Sequence, residues 1–232
     1  MRVVIETGYE QMSEEAFRVF REKLPASGVV GFATGKTPIG LYRIISEECL
    51  AGGISFKGKS SFNLDEYYPM ERGDGGSYWQ FMEQNLFRNI DIERERINFP
   101  YADLPEEEAV IRYRKAYAMG GPVDLQIVGI GANGHMAFNE PGSAMDSTIR
   151  IVDLSPDTIR RNGAGKTRAI TMGIKEILES RSLILIASGE DKAGAVNKAV
   201  NGEIGSSVPA SFLRLHSDVT FVLDEAAGSG LS

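Results

Sequence analysis

Short runs of β-branched and apolar residues alternate with longer stretches of helical periodicity along the whole chain. Residues 3–5, 28–32, 60–64, 123–129, 148–154, 182–187 and 218–223 read as strands. Between them lie helical patterns at 13–24 with Ser13 as N-cap, behind Pro38 (Leu41, Ile44, Ile45, Leu50), around Tyr78 to Phe87, and at 105–118, 171–180 and 190–201. This alternation predicts a Rossmann-like, doubly wound α/β fold, with a mainly parallel sheet and helices on both faces. No repeat or long linker divides the sequence, so residues 1–232 are expected to form one domain with a short irregular lid at about 140–170. In such folds ligands sit beyond the carboxyl ends of the strands, which directs attention to loops 33–37, 65–76 and 129–141.

Composition narrows the function classes. With 25 basic and 32 acidic residues, the net charge of −7 argues against binding nucleic acid or an anionic membrane. No apolar run approaches the roughly 18 residues of a membrane span. The start turns acidic at Glu6, unlike a signal peptide. Cys49 is the sole cysteine, so neither an intrachain disulfide nor a thiol-based zinc site can be built. A cytoplasmic protein is expected, with the oligomeric state open and a homo-oligomer allowed. Glycine is over-used: 26 residues against about 16 at an average usage near 7%.

Two glycine motifs are near misses. Gly35-Lys36-Thr37 ends like a nucleotide P-loop, but Val30 stands where the leading glycine belongs. Thr34, Gly35, Lys36 and Thr37 still place hydroxyls, backbone N–H groups and a lysine before a helix, which suits a single phosphate. Gly129-Ile130-Gly131-Ala132-Asn133-Gly134 satisfies the dinucleotide pattern, but Pro141-Gly142 follows too soon for the helix that pattern requires. Its glycines are expected to admit a small ligand, with Gly31 and Gly35 doing the same at the phosphate. His135 follows, flanked by Gly134 and with Glu140 five residues on, as an acid/base candidate. His216, in an apolar stretch, reads as structural. Asp65-Glu66 ends the third strand at the same edge. One histidine and this pair supply too few ligands for a metal, so none is expected, and proton abstraction beside a sugar carbonyl fits better.

The segment Phe62-Asn63-Leu64-Asp65-Glu66-Tyr67, with Gly131-Ala132-Asn133-Gly134-His135-Met136-Ala137-Phe138-Asn139-Glu140-Pro141, closely resembles the glucosamine-6-phosphate deaminase (isomerase) family. The sister 6-phosphogluconolactonases share that fold. The resemblance extends through residues 33–38, 77–92, 189–193 and 211–216. It implies a cofactor-independent reaction in amino-sugar catabolism, with a small phosphosugar as the ligand: glucosamine 6-phosphate and water give fructose 6-phosphate and ammonia. By matching position, His135 would open the sugar ring, Glu140 and Asn133 would orient and tune it, and Asp65 would move a proton between C2 and C1. Glu66 would support Asp65. Thr34 to Thr37 and Lys192 would hold the phosphate, and Gly131 and Ala137 would line the sugar.

The chain departs from the family pattern in three places. Position 133 is often Asp, and Asn133 orients with less charge stabilisation. Lys36 replaces a small residue. The family's lid is longer and carries a phosphate-binding arginine, for which Arg160 or Arg161 is the expected substitute. The C-terminal extension of regulated members is absent, so allosteric activation is not expected. Two other functions compete: a lactonase or isomerase acting on another phosphosugar, favoured by the short lid, and a non-catalytic sugar-phosphate sensor. The sensors carry an N-terminal helix-turn-helix, whereas this sequence opens on a strand.

Overall fold

The structure is a computed structural model that describes residues 1–162 and 165–231, with the backbone alone at Arg161 and Asn162. In chain order the elements are β1 (Arg2–Glu6), α1 (Tyr9–Lys23), β2 (Val29–Phe32), α2 (Ile39–Leu50), β3 (Ser60–Asn63), β4 (Asp65–Tyr67) and α3 (Tyr78–Asn85). They continue with β5 (Ile97–Asn98), α4 (Glu106–Gly120), β6 (Leu125–Gly129), β7 (Arg150–Asp153), α5 (Pro156–Asn162) and β8 (Arg168–Thr171). Then come α6 (Ile174–Leu178), β9 (Ser182–Ala187), α7 (Ala193–Asn201), β10 (Val219–Asp224) and α8 (Glu225–Gly228).

Seven strands form one sheet in the order β1-β10-β9-β6-β2-β3-β5, every pairing parallel. Both faces are covered, as two phenylalanines make plain. Phe32 pairs with Asn63 and Gly31 with Phe62, so Phe32 and Phe62 leave the sheet on opposite sides. Phe32 packs with Tyr42 of α2, Phe56 and Phe87, and Phe20 of α1 meets Phe56 on that side. Phe62 packs with Tyr113 and Tyr117 of α4. All these rings except Tyr117 are at most 1% exposed, so each fully buried ring contributes on the order of 2–3 kcal/mol of hydrophobic stabilisation.

Four local expectations are corrected. Helix α1 begins at Tyr9, with Gly8 rather than Ser13 before it. The Ser13 hydroxyl donates instead to the Tyr9 carbonyl one turn back, 2.8 Å away, which is how serine satisfies itself inside a helix. The segment 60–66 is not one strand. The Leu64 amide still bonds to Phe32 of the large sheet, but its carbonyl accepts from Met172, and β4 joins a separate antiparallel sheet in the order β4-β8-β7. The region expected to be an irregular lid, about 140–170, holds α5 and the start of β8 beside β7, which lies within the strand expected at 148–154. Gly31 does not serve a ligand: a Cβ there would meet the Gln126 side chain at 1.9 Å.

Candidate active site

A cavity of about 720 Å³ opens at the carboxyl edge of the large sheet. Four adjacent strands deliver its lining. β2 leads into Ala33 to Pro38, β3 into Leu64 and Asp65, β6 into Gly129 to Ala132 and His135, and β9 into Ser188, Asp191 and Lys192. Thr34, Gly35, Lys36, Thr37, Asp65, Gly131, His135, Ala137 and Lys192 all line it. Asn133, Glu140 and Glu66 stand behind the wall. Arg160 is not part of the lining and is 70% exposed, paired with Asp157 at 2.9 Å, and the Arg161 side chain lies outside the described ones.

Residues 33–38 bend into α2, and Gly35 takes φ +119°, a backbone conformation side chains resist. The Tyr9 hydroxyl pins the loop, lying 3.1 Å from the Thr37 carbonyl and 3.2 Å from that of Lys36, and accepting from the Gly40 amide at 2.8 Å. Tyr42 ties the other end, donating to the Ala33 carbonyl at 2.5 Å. A loop so held at a helix start, with two lysines on the cavity wall, suits an anion.

Asp65 is 6% exposed. Burial, reinforced by the charge of Glu66, pushes its carboxyl up to about 8, with a partial offset from the Thr34 hydroxyl 3.4 Å away. Glu66, alternating to the other side of β4, accepts the backbone amides of Tyr67, Tyr78 and Trp79, each at 2.9 Å. It thereby fixes the first turn of α3 and brings Tyr78 to the cavity wall. Burial nonetheless raises the Glu66 carboxyl, the three amides opposing it. The Tyr78 ring stacks on Phe138 with 6.0 Å between centroids, and its hydroxyl donates to that of Tyr67 at 3.0 Å.

His135 lies over Gly131, where a Cβ would come within 2.2 Å of the imidazole. Its Nδ1 is buried 3.5 Å from Glu140 Oε2, an ion-pair approach, and has no hydrogen-bond partner among the described residues. Asn133 does not reach the ring. Its amide donates to Glu140 Oε2 at 2.7 Å, and its carbonyl accepts the His135 backbone amide at 3.1 Å. Burial would raise the Glu140 carboxyl. The imidazole, the Thr158 hydroxyl and the Asn133 amide together overcome it and draw the carboxyl down to about 2. Asn139 is fully buried and holds the loop, donating to the carbonyls of Met136 and Met172 and accepting from Arg150. His216 bridges the backbones of Ser180 and Asp218, far from this edge in topology. Tyr9, Tyr78, Ser188 and Thr158 carry no local motif, and their places in the wall were not readable from the sequence. Among the described residues no group of His, Cys, Asp and Glu is arranged to hold a metal.

A buried carboxylate, a histidine and a lysine-bearing loop at a helix start around one cavity, on a parallel α/β fold, are the groups an acid/base site for a small anionic ligand would need. The model of the family described as glucosamine-6-phosphate isomerases/6-phosphogluconolactonase matches residues 4–222, and the chain belongs to that family. A glucosamine-6-phosphate deaminase of Clostridium botulinum (strain Kyoto / Type A2) is 42% identical over 100% of this chain and 99% of its own. Glucosamine-6-phosphate deaminase 2 of Bacillus subtilis (strain 168) is 39% identical over 100% and 98%. Among solved structures, one described as a monomeric glucosamine-6-phosphate deaminase superposes with a TM-score of 0.95 at 36% identity, covering 99% of this chain and 100% of that one. A 6-phosphogluconolactonase from Trypanosoma cruzi shares the fold, with a TM-score of 0.81 at 20% identity over 100% and 97%.

Proposed function

We propose that this protein converts glucosamine 6-phosphate and water to fructose 6-phosphate and ammonia. The observation that carries the proposal is the meeting of Asp65, His135 and the 34–37 loop in one cavity. Full-length similarity to deaminases at 39–42% identity supports the substrate.

The phosphate binds at Thr34 to Thr37 and Lys192, and its binding energy places the far end of the sugar against Asp65 and His135. His135 exchanges a proton with the ring oxygen and the C1 hydroxyl, opening the pyranose to the aldehyde. Glu140, held ionised, stabilises the imidazolium that forms. Asp65 takes the proton from C2, giving a C1–C2 enolamine, and returns it to C1. The resulting C2 imine is hydrolysed by water, leaving the ketone and ammonia. A carboxylate whose burial raises its basicity suits the abstraction of a carbon-bound proton.

A phosphorylated sugar stays in the compartment where it is made, which supports a cytoplasmic location. Similarity to a deaminase described as monomeric favours a single chain over a homo-oligomer. The deciding experiment incubates the protein with glucosamine 6-phosphate and measures ammonia and fructose 6-phosphate together. Product no greater than from an Asp65→Asn control would overturn the proposal.

A further inference from the structure

The two oxygens of Glu140 face different parts of the chain. Oε2 is turned to its own loop, 2.7 Å from Asn133 Nδ2 and 3.5 Å from His135 Nδ1. Oε1 is gripped from α5 and the residue before it. The Thr158 hydroxyl donates to it, and the Ser155 hydroxyl lies 3.2 Å away. These two hydroxyls are themselves connected: Ser155 Oγ is 3.0 Å from Thr158 Oγ1 and accepts the Thr158 amide at 3.2 Å. Thr158 is 3% exposed and lines the same cavity as His135. No other hydroxyl is bonded to this carboxylate among the described residues.

We propose that Thr158 is a positioning residue, which holds the Glu140 carboxylate at the angle from which it serves His135. The proposal rests on the deaminase reading and deepens it. A carboxylate bound through Oε2 alone can swing about its Cγ–Cδ bond. Two donors on opposite oxygens remove that freedom and fix which oxygen meets the imidazole. The docking of α5 is therefore part of the acid/base apparatus, although no atom of Thr158 needs to exchange a proton with the sugar. The grip of Ser155 is secondary, since its single proton is divided between Glu140 and Thr158.

The test compares Thr158→Val, which keeps the shape and removes the hydroxyl, with Thr158→Ser, which keeps the hydroxyl. Hydrogen bonds to charged groups set the expected size: kcat on glucosamine 6-phosphate falls about tenfold to a hundredfold in Thr158→Val. KM stays within about twofold, because the phosphate loop is untouched, and Thr158→Ser recovers most of the rate. A cycle with Glu140→Gln supplies the second arm. If Thr158 acts through Glu140, adding Thr158→Val to Glu140→Gln costs nothing further in kcat. Full additivity in that cycle, or unchanged kcat in Thr158→Val, overturns the inference. The cycle also decides the matter if Thr158→Val is poorly folded, since it is repeated with Thr158→Ala and Ser155→Ala. Ammonia release by the wild-type protein is measured first. Its absence overturns the deaminase reading itself, whereas an active wild type with an indifferent Thr158 overturns only the positioning role.

Discussion

Asp65 Oδ1 lies 3.4 Å from Thr34 Oγ1, so the carboxylate assigned as base touches the loop assigned to the phosphate. The two ends of the site are thus built as one unit, from neighbouring strands. The contact also gives the buried carboxylate its one local compensation, which is too weak to return it to the ordinary range near 3.8.

Asp65 therefore titrates late. A base must be ionised, so kcat/KM on glucosamine 6-phosphate rises with pH through about 8. Asp65→Asn abolishes that limb and lowers kcat by about three orders of magnitude, within the range for loss of a general base. A wild-type profile flat from pH 6 to 9 would contradict the assignment.

The same group shapes stability. Its folded pKa lies above its unfolded one, so between about pH 4 and 8 the folded chain holds the extra proton, and stability falls as pH rises across that window. Asp65→Asn removes this dependence. Its Tm, followed by calorimetry, is expected to exceed that of wild type at pH 9 and to approach it at pH 5.

Glu140 has the opposite sign. Its carboxyl is held at about 2, below the ordinary 4.5. The stability it contributes is present above pH 4.5 and is lost as pH falls toward 2. Thermal melts of Glu140→Gln should change less between pH 5 and pH 2.5 than those of wild type, and equal slopes would refute the point.

Gly131→Ala tests the seat of His135. A methyl group 2.2 Å from the imidazole forces the ring aside. Displacement of about 1 Å costs on the order of a hundredfold in rate. The expected result is a large fall in kcat with an unchanged circular dichroism spectrum.

Glu66→Ala removes the acceptor of three backbone amides, one in β4 and two at the start of α3. Leaving buried donors unpaired costs about 1–3 kcal/mol for each group fully stranded. A Tm drop of several degrees is expected, with partial recovery in Glu66→Gln, which keeps one acceptor oxygen. An unchanged Tm in Glu66→Ala would show that water replaces the carboxylate.

Much of this arrangement could be read in advance because it is local. Strand-end loops gather at one edge of a parallel sheet whatever their side chains, so Asp65, His135 and residues 34–37 could be placed together from alternation alone. What escaped was non-local. Ser155 and Thr158 look like an ordinary helix start, and only the docking of α5 brings them to Glu140. Tyr9 belongs to the first helix yet fastens a loop that follows the second strand. The run Arg168–Thr171 is a strand only because β4 and β7 flank it, and β4 itself was hidden inside the run that begins at Ser60. Asn133 was named from the resemblance as orienting His135, but the contacts through which it would do so, to the Glu140 carboxylate and the His135 backbone amide, depend on the fold of the loop.

Phe32 and Asn63 stand opposite one another across β2 and β3, two residues before Thr34 and Asp65, and the Leu64 amide donates to the Phe32 carbonyl. The ladder sets where the two segments leave the large sheet, about 4.8 Å apart, and the Thr34 and Asp65 side chains close the remaining gap. In effect the sheet is a ruler. Sliding either strand by one residue would part Thr34 from Asp65 and turn Phe32 or Phe62 away from the face it fills.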